Sequence, residues 1–250
     1  MAIKTERVTI RLGMDTYQGY FASPTEGKHP GVIVLQEIFG VNEHIRSVTE
    51  RLAGEGFASL APDLFWRQQP GFECGYSPED IEAGRKLRGQ VDTDRLVGDL
   101  KAAFQVLRNR PECTGRAGVI GFCFGGLMTY LAASKLNPSC AVSYYGGGIA
   151  NQLQDFFSIR SPILFHFGAK DAHIPLEQVE KIRETAKKSS ADWELHIYPE
   201  AGHGFNCDQR QDFHPPSARE AWFRTLAFLH RSLSSEAPKT GWEEDAAKPA

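Results

Sequence analysis

Short apolar runs alternate with segments of helical period along the whole chain. Val8 to Leu12 and Tyr17 to Ala22 read as a hairpin-like strand pair, with the turn residues Gly13 and Asp15 between them. Gly31-Val32-Ile33-Val34-Leu35-Gln36 is a continuous apolar run, the signature of a strand buried on both faces. After Asn42, a candidate N-cap, Ile45, Val48, Leu52 and Ala53 recur at helical spacing until Gly54 and Gly56. Phe57 to Ala61 predicts the next strand, stopped by Pro62. Residues 63 to 76, rich in Pro, Gly and aromatics and without periodicity, read as a long loop.

Ser77-Pro78-Glu79-Asp80 is a helix start: a capping serine, a proline in the first turn, and acids against the helix dipole. A further helix is expected from about Asp94 to Asn109, with Leu96, Leu100, Ala103, Phe104 and Leu107 on one face. Strands are expected at 117–120, 141–145, 163–167 and 194–198, and helices at 127–135, 176–188 and 217–233. This alternation predicts an α/β fold, a mostly parallel central sheet with helices on both faces. One domain over residues 1–234 accounts for it. Residues 235–250, rich in Ser, Glu, Ala, Pro and Lys, read as a solvated tail.

Composition narrows the classes. The chain has 250 residues, 41% hydrophobic and 24% charged, enough to bury a sizeable core. A net charge of −3 gives no reason to expect a nucleic acid or an anionic membrane as partner. No apolar run approaches the roughly 18 residues of a membrane span, and the first residues lack the apolar core of a signal peptide. The five cysteines have no framework spacing, so reduced thiols and a cytoplasmic setting are expected.

The chemistry concentrates at Gly121-Phe122-Cys123-Phe124-Gly125-Gly126. A strand precedes it and a helix follows, the layout of a nucleophile elbow with Cys123 at the apex. The apex sits in strained backbone, so its neighbours two positions away must be small, as Gly121 and Gly125 are. A Gly-rich turn around an inert buried cysteine is the ordinary alternative. Two partners follow in the order such hydrolases use. Asp171 comes just after the 163–167 strand, and His203 just after the 194–198 strand, so both belong to the carboxyl edge of the sheet. In this reading His203 takes the thiol proton and later gives it to the leaving group, and Asp171 orients His203. Glu37, closing a buried strand, is a candidate second base. The backbone N–H groups of Ile38 and Phe124 are the candidate oxyanion donors.

Gln36 to Asn42, Gly121 to Gly126, Asp171 and Ala201-Gly202-His203 together resemble the dienelactone hydrolase (carboxymethylenebutenolidase) family of the α/β-hydrolase superfamily. Ala61 to Leu64, Gly98-Asp99-Leu100 and Tyr144-Tyr145-Gly146 extend the resemblance. It implies a monomeric, cytosolic hydrolase of an enol lactone or activated ester, without cofactor, working through Cys123, His203 and Asp171. It also implies a resting thiol beside Glu37, which takes the proton when substrate binds. The family's namesake holds its substrate carboxylate with two arginines, and the matching positions here are Ile81 and Cys207. Arg85 is the candidate replacement for one arm, with Arg88, Arg67 and Arg210 as others. Tyr145 is a candidate pocket residue. No metal is expected, because neither paired histidines at i, i+4 nor CxxC pairs occur. A general esterase or thioesterase of the same family, a thiol-redox protein and a non-catalytic binding protein stay open as alternatives.

Overall fold

The computed structural model describes residues 1–234; the expected tail, 235–250, lies outside them. Eight strands form one sheet, in the order β1-β2-β4-β3-β5-β6-β7-β8. β1 (Ile3–Leu12) and β2 (Asp15–Pro24) are antiparallel, Ile3 opposite Pro24 and Leu12 opposite Asp15. β2 runs antiparallel to β4 (Ala58–Pro62) as well. From there β3 (His29–Leu35), β5 (Cys113–Phe122), β6 (Ala141–Tyr144), β7 (Ile163–Gly168) and β8 (Trp193–Tyr198) all run parallel with β4. The expected α/β architecture is present.

The differences have local causes. β1 begins five residues earlier than its apolar pattern, because Lys4 to Arg7 lie exposed on an edge strand and carry no hydrophobic signal. α1 (Glu43–Gly54) starts where Asn42 Oδ1 accepts from Ile45 N at 3.3 Å. α2 (Pro78–Gly89) begins in a full capping box, Ser77 and Asp80 each accepting the other's backbone N–H. α3 (Thr93–Arg108) starts at Thr93 because Asp92 accepts from the amides of Asp94 and Arg95. α4 (Phe124–Lys135) is buried from Phe124 through Ala133, α5 spans Leu176–Lys188 and α6 Pro215–Ser234. Two short 3-10 turns, Ile149–Asn151 and Leu153–Ser158, bridge β6 and β7 and had no sequence signal.

The parallel strands place their carboxyl ends on one edge of the sheet. Glu37 follows β3, Cys123 follows β5, Asp171 follows β7 and His203 follows β8. Four distant sequence positions therefore meet by topology alone. All five cysteines are free thiols. Among the described residues no helix is long and apolar enough to cross a membrane.

Candidate active site

The elbow is built by the absence of side chains. Cys123 has φ 55° and ψ −112°, between β5 and the first turn of α4. A Cβ at Gly121 would stand 2.1 Å from Gly125 O, and one at Gly125 would stand 2.3 Å from Leu35 O. At Gly126 it would meet Tyr144 O at 2.5 Å. All three contacts are with backbone, so the turn closes only with glycine at these positions. Cys123 N donates to Tyr144 O at 3.0 Å, and Gly125 N to Gln36 O at 3.0 Å, tying the elbow to β6 and to the end of β3.

Cys123, His203 and Asp171 come together. His203 Nε2 lies 3.1 Å from Cys123 Sγ, and Nδ1 lies 2.8 Å from Asp171 Oδ2. The other carboxylate oxygen of Asp171 accepts from the amides of His173 and Ile174, at 2.8 and 3.1 Å. Burial pulls the acidity of Asp171 down, but the His203 ring and those two amides outweigh it and hold its pKa below the usual carboxylate value. His203 is the mirror case. Burial opposes its protonation, but the Cys123 sulfur and the Asp171 carboxylate raise its pKa to about 10. The ring is thus built to carry a proton between sulfur and carboxylate.

Ile38 and Phe124 also sit at this edge. Among the described residues neither backbone N–H donates to a protein acceptor, so both are available to an oxyanion. The Ile38 loop is held from two sides. Gly40, at φ +79°, bridges to Glu73 of the long loop. Gly84 of α2 presses on Ile38 O so closely that a Cβ there would approach to 2.3 Å.

Glu37 is placed differently from the arrangement the resemblance implies. No hydrogen bond joins it to Cys123 among the described residues. Its carboxylate, 2% exposed, instead accepts from Arg210 Nη1 at 3.1 Å. Arg210, 13% exposed, also faces Asp212 at 3.7 Å and lies over the Phe39 ring. Its seat is Gly204, at φ +80°, where a Cβ would stand 2.4 Å from Nη1.

A pocket of about 360 Å³ opens over Cys123 and His203. Ile38, Phe39, Phe124, Ile81 and His173 supply its walls, and Arg85, Arg88 and Arg210 its cations. Arg85 is exposed, and among the described residues neither Arg85 nor Arg88 makes an ion pair; Arg88 lies over the Phe124 ring at 5.3 Å. Arg67, another candidate arm, is engaged elsewhere: it forms two hydrogen bonds to buried Asp99, at 2.8 and 2.9 Å. Cys207, where the namesake's second arginine was sought, is buried and contacts Tyr76.

Tyr145 is a correction. It does not line the pocket. Its backbone, at φ +37°, turns the side chain inward, where it is fully buried with its ring 5.2 Å from that of His203. Of the histidines near this edge, His173 stacks edge-on against His203, while His166 is buried between Tyr198 and Thr225. Phe65 and Phe122 belong to the core, and Trp66 stacks on Tyr17.

Known proteins are similar to this chain in sequence and fold. The sequence pattern of the dienelactone hydrolase family matches residues 17–233. A Synechocystis sp. protein provisionally named a carboxymethylenebutenolidase is 41% identical over 92% of this chain and 98% of its own length. The carboxymethylenebutenolidase of Pseudomonas putida is 34% identical over 92% of this chain and all of its own. A crystal structure provisionally described as a dienelactone hydrolase of Klebsiella pneumoniae superposes with a TM-score of 0.84, at 33% identity over 92% of this chain. With its eight-stranded mixed sheet, its elbow and these relatives, the chain belongs to the dienelactone hydrolase family, carboxylic ester hydrolases of the α/β-hydrolase superfamily.

Proposed function

We propose that this protein opens an enol lactone, or an equally activated ester, that carries a carboxylate, through an acyl-cysteine intermediate on Cys123. The contact that carries this reading is Cys123 Sγ to His203 Nε2 at 3.1 Å, with Asp171 2.8 Å behind the ring. Sulfur gives up its proton to His203 and attacks the lactone carbonyl carbon. The carbonyl oxygen becomes an oxyanion held by the N–H groups of Ile38 and Phe124. The ring C–O bond then breaks, the enolate leaves with the proton from His203, and a thioester remains. Water, deprotonated by His203, attacks the thioester, and the returning proton restores the thiol.

Sulfur restricts the substrate. In the tetrahedral intermediate the better leaving group departs first. A thiolate, its thiol pKa about 8.5, departs far ahead of an ordinary alkoxide, whereas a phenol-like enolate of pKa about 10, protonated by His203 as it leaves, competes with it. An enol lactone is therefore expected to acylate Cys123 more readily than an alkyl ester. The cations select further. Arg85 and Arg88 face the pocket without a carboxylate partner, and Arg210 reaches it from beside Glu37. A substrate carboxylate that draws Arg210 toward itself frees Glu37, which then has the free carboxylate a second base requires. The names of the relatives in Pseudomonas putida and Synechocystis sp. support the same substrate class.

Steady-state kinetics on a carboxylated enol lactone against a neutral aryl ester test the proposal. The expected result is a kcat/KM at least about tenfold higher for the lactone, the size of one charge-assisted contact. An acyl adduct on Cys123, seen by intact-mass spectrometry after quenching, is expected in the first turnover. Equal rates on both substrates overturn the anionic reading, and a Cys123→Ala variant with full activity overturns the mechanism.

A further inference from the structure

Near Glu37, three side chains from two distant segments converge. His44 from the first turn of α1, and Cys207 and Asp208 from the loop after His203, bring one ligand atom each to within 4.8 Å of one another. We infer that His44, Cys207 and Asp208 form a binding site for a thiophilic divalent metal ion of the zinc class, separate from the catalytic cysteine.

The donor set fits that class. One thiolate, one imidazole and one carboxylate suit zinc, and a water completes a tetrahedron, whereas magnesium and calcium want oxygen alone. Zinc bonds of about 2.0 Å to nitrogen and about 2.3 Å to sulfur hold neighbouring ligand atoms roughly 3.5 Å apart. His44 Nδ1 and Asp208 Oδ1 already lie 3.5 Å apart, and movement of about an ångström brings in the sulfur. With the thiol and carboxylate ionised, a divalent ion is neutralised by its own ligands.

The surroundings suit a bound ion. His44 is 2% exposed, and the Nδ1 that faces Asp208 has only that long contact of 3.5 Å. A buried imidazole so poorly satisfied is costly unless something else engages it. Tyr76 Oη lies 3.2 Å from Cys207 Sγ and accepts from Asn42 Nδ2 at 3.0 Å, so its own proton is free to support a thiolate. Asp208, 66% exposed, borders an open cleft of about 260 Å³, so one ligand of the cluster faces solvent. The site left no mark in the sequence because His44 lies more than 160 positions from Cys207 and Asp208. The cysteine stands where the family's namesake has an arginine.

Cobalt(II) reports the site directly, because a cobalt thiolate has a charge-transfer band in the near ultraviolet. The chelator-treated full chain is titrated with cobalt(II) and then with zinc(II). One equivalent of cobalt is expected to raise the band, and zinc to abolish it. The band is expected to persist in Cys123→Ala and to vanish in Cys207→Ser. Asp208 is exposed, so Asp208→Asn keeps the fold, and it is expected to weaken cobalt binding by at least about 10-fold. Three outcomes overturn the inference: no saturable band in the parent, a band that survives Cys207→Ser, or a band lost only in Cys123→Ala.

Discussion

Arg210 and Glu37 form a buried ion pair beside the proposed nucleophile, Nη1 to Oε1 at 3.1 Å. The pair joins the loop after β3 to the loop after β8, and so ties a candidate base to a candidate specificity arm. Any ligand that competes for the arginine changes what the carboxylate does.

Removing one member of this pair separates its two roles. Arg210→Gln is expected to lower kcat/KM for a carboxylated lactone by about 10- to 100-fold, with a much smaller effect on a neutral aryl ester. It also strands Glu37, which is expected to destabilise the fold by about 3 kcal/mol. The double variant Glu37→Gln/Arg210→Gln is expected to regain part of that stability while remaining poor on the lactone. Urea unfolding and kinetics on both substrates check the two effects independently.

The raised pKa of His203 gives a pH dependence of definite sign. A group raised on folding stabilises the folded state fully below its unfolded value of 6.5, and this contribution disappears as pH climbs through about 10. Thermal midpoints are therefore expected to fall between those values. In Cys123→Ala the sulfur's contribution is gone, so the imidazole pKa read by NMR is expected to drop, and the loss of stability moves to lower pH. An unchanged His203 titration in that variant contradicts the sulfur's share in raising this pKa.

Asp171→Asn keeps an oxygen for the His173 and Ile174 amides but reverses the preferred partner of His203 Nδ1. The expected result is a normally folded protein whose kcat falls by about 10³- to 10⁴-fold, since the ring is held in the wrong tautomer. Circular dichroism and single-turnover kinetics on one preparation distinguish this from simple unfolding.

Gly84→Ala tests the oxyanion loop from a distance. The added Cβ would lie 2.3 Å from Ile38 O, which is backbone and cannot swing aside. α2 or the loop must shift, and the Ile38 N–H shifts with it. We expect kcat to fall by about 10- to 100-fold with KM nearly unchanged, the pattern of a lost transition-state contact. A change in KM alone points instead to the neighbouring pocket wall.

The elbow was legible in the sequence because Gly121, Gly125 and Gly126 are each demanded by a backbone contact. Asp171 and His203 were legible because each follows a buried parallel strand, and such strands share an edge. Arg210 was only one of several candidate cations, because counting residues from His203 does not describe how the loop runs. Turns closed by Cys207 N to Gly204 O and Arg210 N to Cys207 O coil the chain back, so the arginine reaches the pocket from seven positions beyond the histidine. Tyr145 misled because it lies just past the end of β6, at φ +37°, and is fully buried among aromatic rings rather than facing the pocket. The three proposed metal ligands escaped notice because only Cys207 and Asp208 are neighbours in sequence and His44 is distant.

Gly204 makes the candidate specificity arm, Arg210, conditional. The arginine occupies a volume that any larger residue at 204 would claim. Positions 204 and 210 are therefore coupled: a side chain at 204 must displace the Arg210 guanidinium from its place beside Glu37, and with it the contact that the proposed substrate carboxylate would contest. Attempts to transfer this pocket to another member of the fold must move the two residues together.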